Sequence, residues 1–166
     1  MESISLKVCQ VDQSKIPIAG LPAEDGNPFV SVVTWIPDDQ ILQIGLPRGS
    51  ICGVLKNNAT DICPETFVQN RDFIEILHYL NANHLDPGLV EFSQQTVEPS
   101  VAIIDQRSPD VNAAVPAEDI IGLYEIEERR VARYQANPNY RLVTARGIFR
   151  LTPWLRNCLQ SAVLSN

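Results

Sequence analysis

The side chains able to do chemistry sit in a few short runs. Asp105-Gln106-Arg107 closes the apolar stretch Val101 to Ile104, and Asp110 follows three residues on. A carboxylate–arginine set at a strand end suits a small catalytic or ligand-binding pocket, and it suits a buried pair that fixes a loop equally well. Glu75 and His78 stand at Glu-x-x-His spacing, Cys63 precedes a proline, and Glu125 and Glu127 alternate on one short run.

Most specific chemistries fail on their own requirements. Ser108-Pro109-Asp110 with Glu125 and Glu127 offers three carboxylates of the kind that hold Mg²⁺ in metal-dependent nucleases, but the lysine such nucleases carry is missing. The Glu-x-x-His spacing serves di-iron sites of four-helix proteins only with a second copy and further glutamates, and there is one copy here. His78 and His84, six residues apart, fall on different faces of a helix and form no metal pair. On a continuous helix, His78 lies about 22 Å from Cys63, too far to activate its thiol. The four cysteines include no C-x-x-C pair and none at zinc-ligand spacing. No G-x-S-x-G elbow and no glycine-rich nucleotide loop occurs. The residues therefore call for no metal and no cofactor.

Charge is distributed unevenly. From Arg129 to Asn166 there are seven arginines and no lysine, aspartate or glutamate. Six basic and 20 acidic residues, a balance of −14, precede them, so the total of −7 conceals a dipolar layout. Arginines interleaved with aromatic residues provide forked donors and flat apolar faces. The candidate surface is Arg133, Tyr140, Arg141, Arg146, Phe149 and Arg150. Pairing with Glu125, Glu127 and Glu128 within the chain is the plainest use of those arginines. A protein partner or a second copy ranks next. A nucleic acid ranks last, because the acidic remainder repels it at long range.

The elements that must position these groups read as follows. The run from Phe29 to Ile36 is β-branched and aromatic on both faces, as a central strand is. Residues 4–11, Ile51 to Leu55, Leu89 to Phe92, Ser100 to Ile104 and Ile120 to Glu127 read as further strands, and Ile41 to Leu46 as a hairpin return after Pro37 to Gln40. Residues 64–83 read as the main helix, with Pro64 at its first position; a later start capped by Asn70 is the rival. Thr152 and Pro153 open a second helix to about residue 164. Asn137-Pro138 and Arg146-Gly147 mark turns, and the polar stretches Pro22 to Pro28 and Asp105 to Asp119 read as loops.

Short connections between strands imply an α+β fold: one domain over residues 1–166, a mainly antiparallel twisted sheet packed by helices 64–83 and 153–164. The hydrophobic fraction of 45% is that of a globular chain. No apolar run is long enough for a membrane span, and Met1 to Lys7 lacks the pattern of a secretory signal, so a cytoplasmic protein is expected. The function expected is that of a non-enzymatic accessory or interaction protein, self-association included, using the Arg/aromatic C-terminal strands. The alternatives are a small enzyme or ligand-binding domain built on Asp105, Arg107 and Asp110, then a nucleic-acid-binding protein.

Overall fold

The computed structural model describes residues 5–12, 29–36, 45–107 and 114–164. Residues 41–44 of the hairpin return expected over Ile41 to Leu46, the turn at 37–40, the loop at 22–28 and the Ser108-Pro109-Asp110 run lie outside them, and Gly45 and Leu46 are not in a strand.

The β-branched runs pair as their composition suggests. β1 (Lys7–Asp12), β2 (Phe29–Thr34), β3 (Ile51–Leu55) and β4 (Phe67–Gln69) form one antiparallel sheet in that order. β3 is buried along its whole length. It tolerates Gly53 because the Phe67 ring occupies the space a side chain would take; an added Cβ would lie 2.4 Å from that ring and 2.4 Å from the Val68 carbonyl oxygen.

The front of the expected helix is a strand instead. Lys56 N–H donates to the Thr66 carbonyl and Asn70 N–H to that of Cys52, so residues 66–70 are held extended along β3. The helix α1 (Arg71–Asn83) starts at the later cap, where the Asn70 side chain accepts from Asp72 N–H and donates to the Ile51 carbonyl. Leu89 to Phe92, expected as a strand, belong to a third helix, α2 (Pro87–Gln95). Asp86 caps it by accepting from Gly88 N–H, and Pro87 takes the first helical position. The Asp-Pro-Gly stop of one helix is thus the start of the next.

β5 (Ser100–Ile104), β6 (Ile120–Glu127) and β7 (Arg130–Ala136) make a second antiparallel sheet in that order. Glu128 and Arg129, both at positive φ, form the two-residue turn between β6 and β7. Here again an aromatic covers a glycine: Tyr134 lies over Gly122, one step diagonal to the Gly122–Ala136 pair. The short strands β8 (Val143–Thr144) and β9 (Gly147–Ile148) form a separate hairpin. The last helix, α3 (Pro153–Leu164), is capped by the Thr152 hydroxyl, which accepts from Leu155 N–H.

The fold is α+β, with three helices and antiparallel pairings among the described residues. One apolar cluster joins its parts: Val33 and Leu55 from the first sheet, Phe73 and Leu77 from α1, Ile121 from the second sheet, Leu155 and Leu159 from α3. The Tyr124 hydroxyl, donating to the Asn81 carbonyl at 2.7 Å, ties the second sheet to α1. No helix among the described residues is long and apolar enough to cross a membrane.

Candidate functional site

Asp105 leaves the end of β5 and turns inward. Its Oδ1 accepts from the backbone N–H of Arg107 at 3.0 Å and of Arg150 at 2.8 Å, and its Oδ2 accepts from the Tyr140 hydroxyl at 2.6 Å. The Arg107 side chain is 4% exposed. Its Nη1 donates to the Leu142 carbonyl at 2.9 Å and that of Gly147 at 3.3 Å; its Nη2 donates to the carbonyls of Glu118, at 3.0 Å, and Arg141. Nε stands 3.0 Å from Asp119 Oδ1, near enough for an ion pair but out of line for a hydrogen bond. The guanidinium carbon lies 5.8 Å from the centre of the Tyr140 ring.

Asp119, fully buried, also holds Arg146, whose Nε donates to Oδ2 at 3.1 Å and whose Nη2 reaches Glu118 at 3.0 Å. Burial raises the Asp105 carboxyl above its ordinary range, opposed by the Tyr140 hydroxyl, the backbone donors and the Arg107 charge. Burial, and then the Asp105 charge, push the Tyr140 phenol well up.

Asp105 and Arg107 therefore do meet, while Asp110 lies outside the described residues. The set closes on itself. One guanidinium joins the end of β5, the 117–119 turn and the 141–147 segment, and its four Nη donors are spent on protein carbonyls. Asp119 and Tyr140 complete the set without having been assigned to it from sequence. Their separation of 14 and 35 residues from Asp105 leaves no local signal; only the adjacency of Glu118 and Asp119 in a polar loop hinted at a site.

The six candidate surface residues divide by type. Tyr140 and Phe149, expected beside the arginines on the surface, are inside, at 2% and 7% exposure. The reason is packing: the Phe149 ring lies 5.5 Å from that of Phe73 on α1, and Tyr140 covers Arg107 and caps Asp105. Arg133 is outside and answered, with Nε donating to Glu125 at 2.5 Å and Nη2 to Glu127 at 3.2 Å. The Glu125 hydrogen bond and charge raise the Arg133 guanidinium further. Arg146 is bound to Asp119 and Glu118 as described. Arg141 is 65% exposed, its Nε 4.0 Å from Glu118 Oε1, a carboxylate that Arg146 already holds. Arg150 contributes its backbone N–H to Asp105 and has an exposed side chain with no ion pair among the described residues.

Arg141 stands on the wall of an open cleft of about 610 Å³. One wall is β4 with Lys56, Pro64 and Glu65; the other is Glu118, Arg141 and Val143 to Ala145. That volume is within the range of ligand-sized clefts. No protein-family model, curated protein or solved structure matches this chain.

Other reactive groups fall in ordinary places. His78 Nδ1 lies 2.8 Å from the Tyr134 hydroxyl, and burial lowers the imidazole pKa. Cys63 does not adjoin a helix N-terminus, because α1 begins at Arg71. His84 and Cys158 line a smaller apolar pocket of about 420 Å³ with Leu80 and Trp154. Among the described residues, no group of three histidine, cysteine or acidic side chains converges to hold a metal ion.

Proposed function

We propose that this chain is a non-enzymatic cytoplasmic accessory protein that works by binding another protein, with the cleft beside Arg141 as its contact. One observation carries the reading. The arginine segment forms a wall of an open cleft of about 610 Å³ through Arg141, whose charge is only distantly answered, while the carboxylate–arginine set beside it is consumed in internal bonds. Lys56 on the opposite wall adds a second cation that forms no ion pair among the described residues. Two cations flanking a concave surface favour a partner carrying acidic groups, and steer its approach. A second copy of this chain is one such partner, since residues before Arg129 carry the −14 balance.

The test compares three forms of the full chain: wild type, Lys56→Glu with Arg141→Glu, and Arg133→Glu as a control on an exposed arginine away from the cleft. Each is immobilised and its captured proteins are quantified, while light scattering at low and high salt reports self-association. Binding through the cleft predicts a partner, or a dimer, present with the wild type and the control and lost with the double variant, whose circular dichroism stays native. A captured set identical for wild type and double variant overturns the reading.

A further inference from the structure

We infer that the cleft takes an extended acidic peptide as an added β-strand between β4 and β8. The inference rests on the cleft being a protein-binding site and goes on to say what enters it and how. The backbone alternation of an antiparallel ladder supplies the first argument. Asn70 N–H bonds the Cys52 carbonyl and Lys56 N–H bonds that of Thr66, so Val68, midway between, turns its own N–H and C=O toward β3. Gln69 then turns both of its backbone groups to the open side, as Phe67 does its carbonyl; the Phe67 N–H is taken by the Cys63 carbonyl. β4 is the last strand of its sheet on that side.

The opposite wall has the same character. Phe149 N–H donates to the Leu142 carbonyl at 2.7 Å, so the next residue along, Val143, faces its backbone groups away from β9 and lines the cleft. Two strand edges therefore face each other across it. At one end a side chain already spans the gap: the Gln69 side-chain carbonyl accepts from Leu142 N–H at 3.2 Å. An extended chain laid in the remaining gap would offer N–H and C=O to both edges, which is how a peptide augments a sheet.

Charge selects the peptide. Four charged residues line the cleft: Lys56, Glu65, Glu118 and Arg141. Glu118 is held by Arg146, and Glu65 is exposed on the same wall as Lys56, its pKa lowered by its own backbone N–H and the Cys63 thiol. Lys56 forms no ion pair among the described residues and Arg141 only the 4.0 Å one to Glu118, so these two cations are the ones placed to meet acidic side chains. Because strand side chains alternate, acids two residues apart fall on one face of the incoming peptide.

The test uses capped octapeptides and the full-length ¹⁵N-labelled protein. One peptide alternates glutamate and valine, a second replaces glutamate by lysine, and two more carry N-methyl groups on the amides of one edge or the other. The expected result is saturable amide shifts at Lys56, Gln69, Arg141 and Val143 with the glutamate peptide. Either methylated form should bind roughly tenfold more weakly or worse, having lost the amides of one edge. The lysine peptide should leave these amides unmoved. Equal binding of the methylated peptides, equal binding of the lysine peptide, shifts confined to other residues, or no saturable shift each overturns strand addition. If partner capture still depends on Lys56 and Arg141 in that case, the interaction reading stands without it; if capture ignores those residues, the interaction reading falls on its own test.

Discussion

Arg107 and Arg133 carry the same charge and are both paired with acids, yet they do opposite jobs. Arg107 is enclosed, with two buried carboxylates beside it and four carbonyls accepting from its forked end. Arg133 is 64% exposed across the strand from Glu125 and Glu127. Water and salt screen the second and cannot reach the first. A buried pair gains little net stability by existing, because both ions were desolvated to make it, but losing one member leaves the others charged and unanswered. Arg107 thus acts as a brace between elements, while Arg133 stays a surface group.

The largest effect should come from Arg107→Met. It keeps much of the side-chain volume but removes the buried cation beside Asp105 and Asp119, leaving Asp119 to Arg146 and Asp105 to neutral donors, and it takes one donor from each of four carbonyls. Breaking a buried pair in this way costs about 3–5 kcal/mol, a large part of an ordinary domain's stability. Urea unfolding should show a much lower midpoint or no folded baseline. A near-wild-type midpoint would falsify the brace. Tyr140→Phe comes next. The ring still fills its place, but Asp105 Oδ2 loses its 2.6 Å donor, and leaving a buried acceptor short costs about 1–3 kcal/mol. An unchanged midpoint there would mean that Asp105 is satisfied without the phenol.

How much of this was legible follows from the range of each interaction. The strand from Ile120 to Glu127 and the helix capped by Thr152 rest on local pattern, and both stand where they were expected. Residues 64–69 read as helix because Pro64 suits a first helical position and Phe67, Ile74 and Leu77 recur at helical spacing. What holds Val68 extended is Val54, 14 residues earlier, and no local window contains that pairing. Asp86-Pro87-Gly88 shows a related ambiguity: a helix breaker and a helix cap use the same residues. In the arginine segment the residue types were informative and their directions were not. Tyr140 and Phe149 alternate with arginines in the same way on a flat recognition strand and on a loop folded over a core. The deciding contacts, to Asp105 and Phe73, lie 35 and 76 residues away.

The half-buried pair of His78 and Tyr134 falls between the two arginines and sharpens the contrast through pH. Burial holds the His78 pKa below its ordinary value of 6.5, so the folded state binds the proton less readily than the unfolded one. The stability this contributes is present above pH 6.5 and is lost as pH falls through the lowered folded value. Asp105 works the other way: its raised carboxyl contributes stability in acid that is lost as pH rises through its folded value. His78→Gln separates them. From about pH 7.5 to about pH 5 the urea midpoint of the wild type should fall further than that of the variant, a span centred on the ordinary histidine range. Parallel falls would assign the acid sensitivity to other groups.

Arg133→Ala should give the smallest effect. Its guanidinium bonds Glu125 and Glu127 in the geometry described, and Gln135 donates to the other Glu125 oxygen at 2.8 Å, so Glu125 keeps a partner when Arg133 is gone. Both ions of each pair retain water on their open sides, and ordering the long side chain offsets most of the attraction. The midpoint should therefore be indistinguishable from that of the wild type at moderate salt. A cycle combining Arg133→Ala with Glu125→Ala should show a coupling close to zero that shrinks further in 1 M NaCl, where the screening length is about 3 Å. A loss as large as that of Tyr140→Phe would mean that the ladder across β6 and β7 is held as rigidly as the interior. Burial would then no longer be what separates the two arginines, since bond geometry alone, shared by both, would be enough to make either one structural.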